Sequence, residues 1–292
     1  MAGKVTRWLL RGLALLLVVA LAAVTTVYAV SSSRLARRLA IPDEAITIPT
    51  DSASIARGAH LASAIGKCTD CHTENLRGQV MDMGPFGVLA ARNLTSGKGG
   101  TAGWSDADWI RAIRHGVRPD SSVLVFMPSM LGARLNAGDL AAIIAYVRSL
   151  PPVDNELPAS RMGPIGRMLI TLKPGRLIPA LGIDHSAPPP PAIPPGPTAE
   201  YGRYLTVVGG CVYCHGDDLR GGIKEGPPGT PASADLTPAG PMAKWSAAEF
   251  TTALRTGGRP DGTVIDPFMP WRLTRLMTDE EIAAVWAYLR TK

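Results

Sequence analysis

The longest apolar run in the chain, Gly12–Val30 (GLALLLVVALAAVTTVYAV), holds 19 residues without a charge. At ~1.5 Å per helical residue such a run matches the hydrocarbon core of a bilayer. Trp8 and Tyr28 stand near its ends, where amphipathic rings prefer the interface. The run predicts a transmembrane anchor over 1–33; the rival reading is a cleaved leader, with Val27 and Ala29 before the cut. Beyond it, apolar positions fall at helical spacing. Leu140, Ile143, Ile144 and Val147 form one face, and Ile282, Val285, Trp286 and Leu289 another. Ser105 with Asp108, and Ser246 with Glu249, read as reciprocal N-caps of helices running to about Arg114 and Arg255. Asn136 with Asp139, and Thr278 with Glu281, open a final pair. No stretch alternates as a strand does, so the pattern predicts an all-α fold. Between 151 and 198 the periodicity breaks, and 13 of the 26 prolines lie there. That segment is expected to be a semi-rigid spacer without a helical core of its own. Its apolar, basic stretch Ile165–Ile183 reads as a strap on the protein or on a lipid surface.

The chain contains itself twice. CTDCH at 68–72 returns as CVYCH at 211–215, and Leu76-Arg77-Gly78 as Leu219-Arg220-Gly221. Asn93-Leu94-Thr95 returns as Asp235-Leu236-Thr237, and Arg118-Pro119-Asp120 as Arg259-Pro260-Asp261. Phe126-Met127-Pro128 and Ala145-Tyr146-Val147-Arg148 match Phe268-Met269-Pro270 and Ala287-Tyr288-Leu289-Arg290. Offsets stay between 141 and 143 throughout, which marks a duplicated domain. The expected boundaries are 1–33 for the anchor, 45–152 and 199–292 for the two copies, and 153–198 for the linker.

Charge refines this picture. The net charge of +6 divides as +2 over 51–150, −1 over 199–292 and +5 over the remainder. The basic excess flanks the apolar run and fills the linker, which suits anionic lipid headgroups and not nucleic acid. Lys4, Arg7 and Arg11 before the run balance Arg34, Arg37 and Arg38 after it, so charge does not orient the anchor. Aromatic residues make up only 5% of the chain, little for a core of side chains alone.

The motif C-x-x-C-H supplies the missing surface. Residues three apart share a helix face, so both thiols can bond the vinyl groups of one haem while the next residue reaches the iron. A zinc tetrathiolate would have to join cysteine pairs from two separate repeats, and a redox dithiol would want a β-α-β setting. Cys68 and Cys71, and Cys211 and Cys214, are thus read as haem attachment points, with His72 and His215 as iron ligands. Two haem c groups follow. For the opposite face of the iron, the repeat selects Met127 and Met269, at 55 and 54 residues past His72 and His215. Met130 and Met277 have no methionine counterpart and are assigned to packing. His60, His115 and His185 also lack counterparts and are read as surface or capping residues.

With CxxCH, the Met-Pro loop and the A-Y-(V/L)-R helix in both copies, the chain resembles the class I c-type cytochromes in duplicate, as a membrane-anchored dihaem cytochrome c. The resemblance implies a small helical bundle around each haem, with first and last helices crossing. It implies His/Met ligation, and a proline carbonyl holding each ligand histidine, with Pro85 and Pro227 or Pro228 as candidates. Arg118 and Arg259, and Trp104 and Trp245, are candidates to meet haem propionates; the alternatives are a solvated turn and helix-entry packing. The arrangement is also similar to cytochrome subunits of bacterial periplasmic dehydrogenases. The implied function is electron transfer on the periplasmic side of the inner membrane, by a single-pass carrier and not an enzyme. Expected redox partners are a dehydrogenase, a quinol-oxidising complex or a terminal oxidase, together with the membrane and no nucleic acid. A dihaem peroxidase is the alternative enzyme reading.

Overall fold

A computed structural model of the 292-residue chain describes residues 2–224, 226 and 229–292. The apolar run lies inside one long helix, α1 (Ala2–Leu35). The first copy then begins with α2 (Ser52–His60), which is N-capped by Asp51. Next come α3 (Cys68–His72), the strands β1 (Gln79–Asp82) and β2 (Gly87–Ala91), and α4 (Asp106–Ile110). Two further helices, α5 (Ser129–Gly132) and α6 (Ala137–Ser149), complete it. The connecting segment carries β3 (Arg161–Met162), α7 (Pro164–Leu172) and α8 (Pro174–Leu177). The second copy is α9 (Ala199–Val208), α10 (Cys211–His215), α11 (Ala247–Thr256), α12 (Trp271–Thr274) and α13 (Asp279–Leu289).

Two sequence expectations need correction. The fold is helix-rich but not purely helical, because β1, β2 and β3 form an antiparallel sheet with Gln79 opposite Ala91 and Gly87 opposite Met162. Its strands are two to five residues long, too short for alternation to stand out. The linker does contain helices and a core. Ile170, Leu177, Ile178 and Ala180 are buried with Val117 and Val123 of the first copy, beside Leu35, Leu39 and Ile41. Proline did not prevent this, because Pro164 and Pro174 each sit in a first helical turn, where the missing N–H costs nothing.

The first and last helices of each copy cross at a glycine. A Cβ on Gly58 would stand 1.9 Å from the Ala142 carbonyl oxygen, and one on Gly202 would stand 1.9 Å from that of Ala284. Only glycine permits these approaches. From Gly58 to Gly66 the first copy holds one residue more than the second does from Gly202 to Gly209. A π-helical turn at Leu61–Ile65 absorbs the extra residue, whereas α9 is regular. The reciprocal caps expected at Ser105, Ser246 and Thr278 form; at Asn136 the side chain caps Asp139 N–H, but the Asp139 carboxylate turns elsewhere.

The two copies share one hydrophobic core. Leu61, Leu76, Leu140 and Ile144 are continuous with Tyr201, Leu205, Leu219 and Ile282. Burying these side chains against each other removes apolar area that either copy alone would expose, at ~25 cal/mol per Å².

Candidate functional site

Each cysteine pair lies on a single helical turn that opens from a left-handed residue. Lys67 (φ 52°) precedes Cys68, and Gly210 (φ 77°) precedes Cys211. None of the four cysteines is in a disulfide, and all four are half-buried. Burial pushes the Cys68 thiol up to about 11, and raises those of Cys71 and Cys211. The raised values favour the thiol form, which suits addition across a vinyl group. Among the described residues no cluster of three or more His, Cys, Asp or Glu could hold a bare metal ion.

The histidines are held alike. His72 Nδ1 donates to the Arg92 carbonyl at 2.7 Å, and His215 Nδ1 to that of Ala234 at 2.7 Å. A carbonyl only accepts, so the proton sits on Nδ1 and the Nε2 lone pair is left for iron. Burial lowers both imidazole pKa values and keeps the rings neutral. This corrects the proline expectation: the acceptor for His72 is Arg92, and Pro85 is an exposed residue of a separate turn. Pro227 and Pro228 lie outside the described residues, and the His215 acceptor is Ala234.

The repeat explains how these carbonyls are aimed. Asn93 and Asp235, the next residues, accept from the N–H groups of Thr95 and Thr237, which closes a tight turn. Leu94 and Leu236 N–H then bond the carbonyls of Leu76 and Leu219, both at 2.8 Å. Those leucines are fully buried and left-handed, at φ 56° and 62°. Gly78 and Gly221 donate to the carbonyls of His72 and His215, again both at 2.8 Å. A Cβ on either glycine would fall within 2.3 Å of a backbone oxygen. The Leu-Arg-Gly and Asn/Asp-Leu-Thr repeats are thus the cradle of the ligand histidine. The repeated Asn/Asp was the sequence signal for the acceptor.

The Met-Pro loops also match. Pro128 and Pro270 take φ −78° with ψ 55° and 50°, and open α5 and α12. Ser129 N–H bonds the Met127 carbonyl at 2.8 Å, and Trp271 N–H that of Met269 at 2.7 Å. Met277 is buried in the core, as is Met242, whereas Met130 is half-buried and outside that core. Trp271 Nε1 is buried without a hydrogen-bond partner among the described residues, an indole donor the polypeptide leaves for another group. The paired thiols, imidazoles and mirrored loops fit a haem in each copy, and this donor adds to the fit in the second.

Arg118 and Arg259 shape equivalent turns. Arg118 Nη1 donates to Val123 O at 2.8 Å, and Arg259 Nη1 to Thr263 Oγ1 at 3.3 Å. Trp104 and Trp245 are half-buried against the shared core, with Trp104 4.9 Å from the Trp109 ring. Two of the unmatched histidines depart from the surface reading. His115 is buried, with Nδ1 3.1 Å from His185 Nδ1. His60 Nε2 lies 2.9 Å from the Glu281 carboxylate of the other copy. Lys67 Nζ also joins the copies, donating to Ile65 O at 3.1 Å and Gly209 O at 2.8 Å.

Comparison with known proteins agrees with this geometry. Residues 199–292 match the family model for cytochrome c, and residues 53–147 that for cytochrome c oxidase, cbb3-type, subunit III. The chain is 28% identical to the cytochrome c subunit of alcohol dehydrogenase (quinone) from Gluconacetobacter polyoxogenes, over 84% of this chain and 57% of that protein. It thus spans little more than half of that relative. A diheme cytochrome c-type protein of Cereibacter sphaeroides is 28% identical over 77% of this chain and 81% of its own length. The fructose dehydrogenase cytochrome subunit of Gluconobacter japonicus is 32% identical over 36% of this chain and 23% of that one. Two family matches laid on two structurally equivalent CxxCH cradles identify the chain as a dihaem c-type cytochrome.

Proposed function

We propose that the chain is a membrane-anchored electron carrier whose two haems pass electrons to and from a periplasmic dehydrogenase or respiratory complex, each iron held by histidine and methionine. The observation that supports this reading is the equivalence of the two Met-Pro loops, which would offer a methionine sulfur to each iron in place of an open position for substrate. A bound haem supplies a one-electron Fe(III)/Fe(II) couple. The protein's part is to fix the His72 and His215 tautomers, to offer Met127 and Met269 sulfur from rigid loops, and to exclude water. Arg118, Arg259, Trp104 and Trp245 remain candidates for contact with the propionates. The names of the relatives support a dehydrogenase as donor. The α1 helix is the candidate anchor, long and apolar enough to cross a membrane and exposed through its apolar window. The N-terminus then lies in the cytoplasm and both haem domains outside it.

The test is potentiometric. Met ligation raises the potential of haem iron and imidazole lowers it, so Met127→His and Met269→His should each drop one of two waves by on the order of 100 mV. Equal drops from Met130→His or Met277→His, with no change in the chosen pair, would refute the ligand assignment.

A further inference from the structure

The helix α7 has two faces. Gly166 and Ile170 are buried against the first copy, where a Cβ on Gly166 would come within 2.4 Å of the Phe86 carbonyl oxygen. The opposite face carries Ile165, Met168 and Leu172, at 44%, 45% and 68% exposure. Spacings of three and four residues place these three side chains in one stripe. Three large apolar side chains in a row on a nine-residue helix are costly in water.

What lies beside that stripe identifies its partner. The helix α7 is bolted to the end of α1 that emerges from the apolar run. Thr171 Oγ1 donates to the Val27 carbonyl at 3.2 Å, and Val27 lies within the uncharged Gly12–Val30 segment. Arg34 donates to the carbonyls of Ile170 and Thr171, both at 2.6 Å. Arg167 donates to Ser31 and Ser32 at 3.0 Å and stacks 4.7 Å over the Tyr28 ring. Leu172 therefore stands level with the last turns of the spanning segment. The charge around it has one sign: residues 157–183 hold four basic residues and no acidic one, and none is acidic from 12 to 42.

We propose that the Ile165–Met168–Leu172 face of α7 lies in the headgroup region of the bilayer that α1 crosses, with the surrounding cations on anionic lipid phosphates. An amphipathic helix of this kind buries its apolar stripe at the acyl boundary and keeps its basic residues at the surface. The helix α1 alone would be a tether free to swivel. With α7 seated, the first copy has a fixed tilt and height, and the shared core carries that orientation to the second. The proposal rests on the reading of α1 as a membrane span.

The test uses the full-length haem-loaded protein in nanodiscs of phosphatidylethanolamine and phosphatidylglycerol. All four native cysteines are consumed as thioethers, so an introduced cysteine is the sole free thiol. Nitroxide is attached in separate variants Met168→Cys, Leu172→Cys, Leu16→Cys in the span and Val264→Cys on the second copy, and relaxation by oxygen is compared with relaxation by a water-soluble nickel chelate. The proposal expects positions 16, 168 and 172 to favour oxygen and position 264 to favour nickel. Nickel preference at 168 and 172 with oxygen preference at 16 would overturn the seating of α7 and leave the anchor intact. Nickel preference at 16 as well would overturn both.

Discussion

The phenolic hydroxyl of Tyr204, in the second copy, donates a 2.7 Å hydrogen bond to the Asp139 carboxylate of the first. Its counterpart is His60 against Glu281 at 2.9 Å. Tyr204 and His60 both stand two residues past the crossing glycine, and Asp139 and Glu281 are both the third residue of a final helix. The interface is therefore a pseudo-twofold exchange, each copy's first helix bonding to the start of the other's last. Arg57 completes the Asp139 site at 2.6 Å. A single shared core and this buried polar seam predict one cooperative urea transition for both copies. Tyr204→Phe should lower stability by about 1–2 kcal/mol without splitting the transition. Two separable transitions in the parent protein would contradict a shared core.

The crossing glycines set a steric test. A methyl group at Gly202 or Gly58 has no room beside the facing carbonyl, so the helices must part. Gly202→Ala and Gly58→Ala should each cost about 3 kcal/mol or more, because overpacking here displaces backbone and not a flexible side chain. The measurement is the urea midpoint, with the yield of haem-stained protein falling in parallel. A variant as stable as the parent would show that the crossing is looser than the 1.9 Å approach implies.

The duplication made much of this legible in the sequence. The CxxCH turns, the caps and the Met-Pro loops were visible because each occurs twice in one register. The His72 acceptor was misassigned to Pro85 because a hydrogen bond to a main-chain carbonyl leaves no mark on the residue that supplies it. Arg92 and Ala234 share no side-chain chemistry; the mark lies one residue later, in the Asx turn. His60 and Lys67 were hidden for the opposite reason. The seam between two copies uses different residues on its two sides, so a search for matched positions passes over it. The helix α7 was obscured by the proline that starts it.

Lys67 offers a separate test on the electron-transfer chemistry. Its ammonium bonds the Gly209 carbonyl two residues before Cys211, while its own backbone adjoins Cys68. One half-buried lysine thus lies near both haem attachment sites. Burial lowers its pKa, with Asp70 among the groups that oppose the shift. A positive charge at this position favours the ferrous state of each iron. Lys67→Gln keeps a donor for the carbonyls and removes the charge, so both potentials should fall, by about 70 mV at ~10 Å and an effective dielectric near 20. A shift confined to one wave would place the ammonium beside a single haem.

His115 sets the acid limit of the linker dock. His185 Nε2 lies 2.9 Å from the Ala180 carbonyl, so Nε2 is its donating N–H and its Nδ1 accepts from His115 Nδ1–H. Burial pushes His115 down from 6.5 to about 4, with His185 and Arg114 adding repulsion against a second charge. The unfolded chain therefore binds this proton first as pH falls. The stabilisation is whole above pH 6.5 and is lost progressively toward pH 4. Residues 177–181, which pack on Val117 and Val123, are held beside this pair. Urea midpoints should drop between pH 7 and pH 5, and His115→Gln should flatten that slope while lowering stability at pH 7. An unchanged slope in the variant would assign the acid sensitivity to other groups and leave the His115–His185 contact without a role in docking the linker.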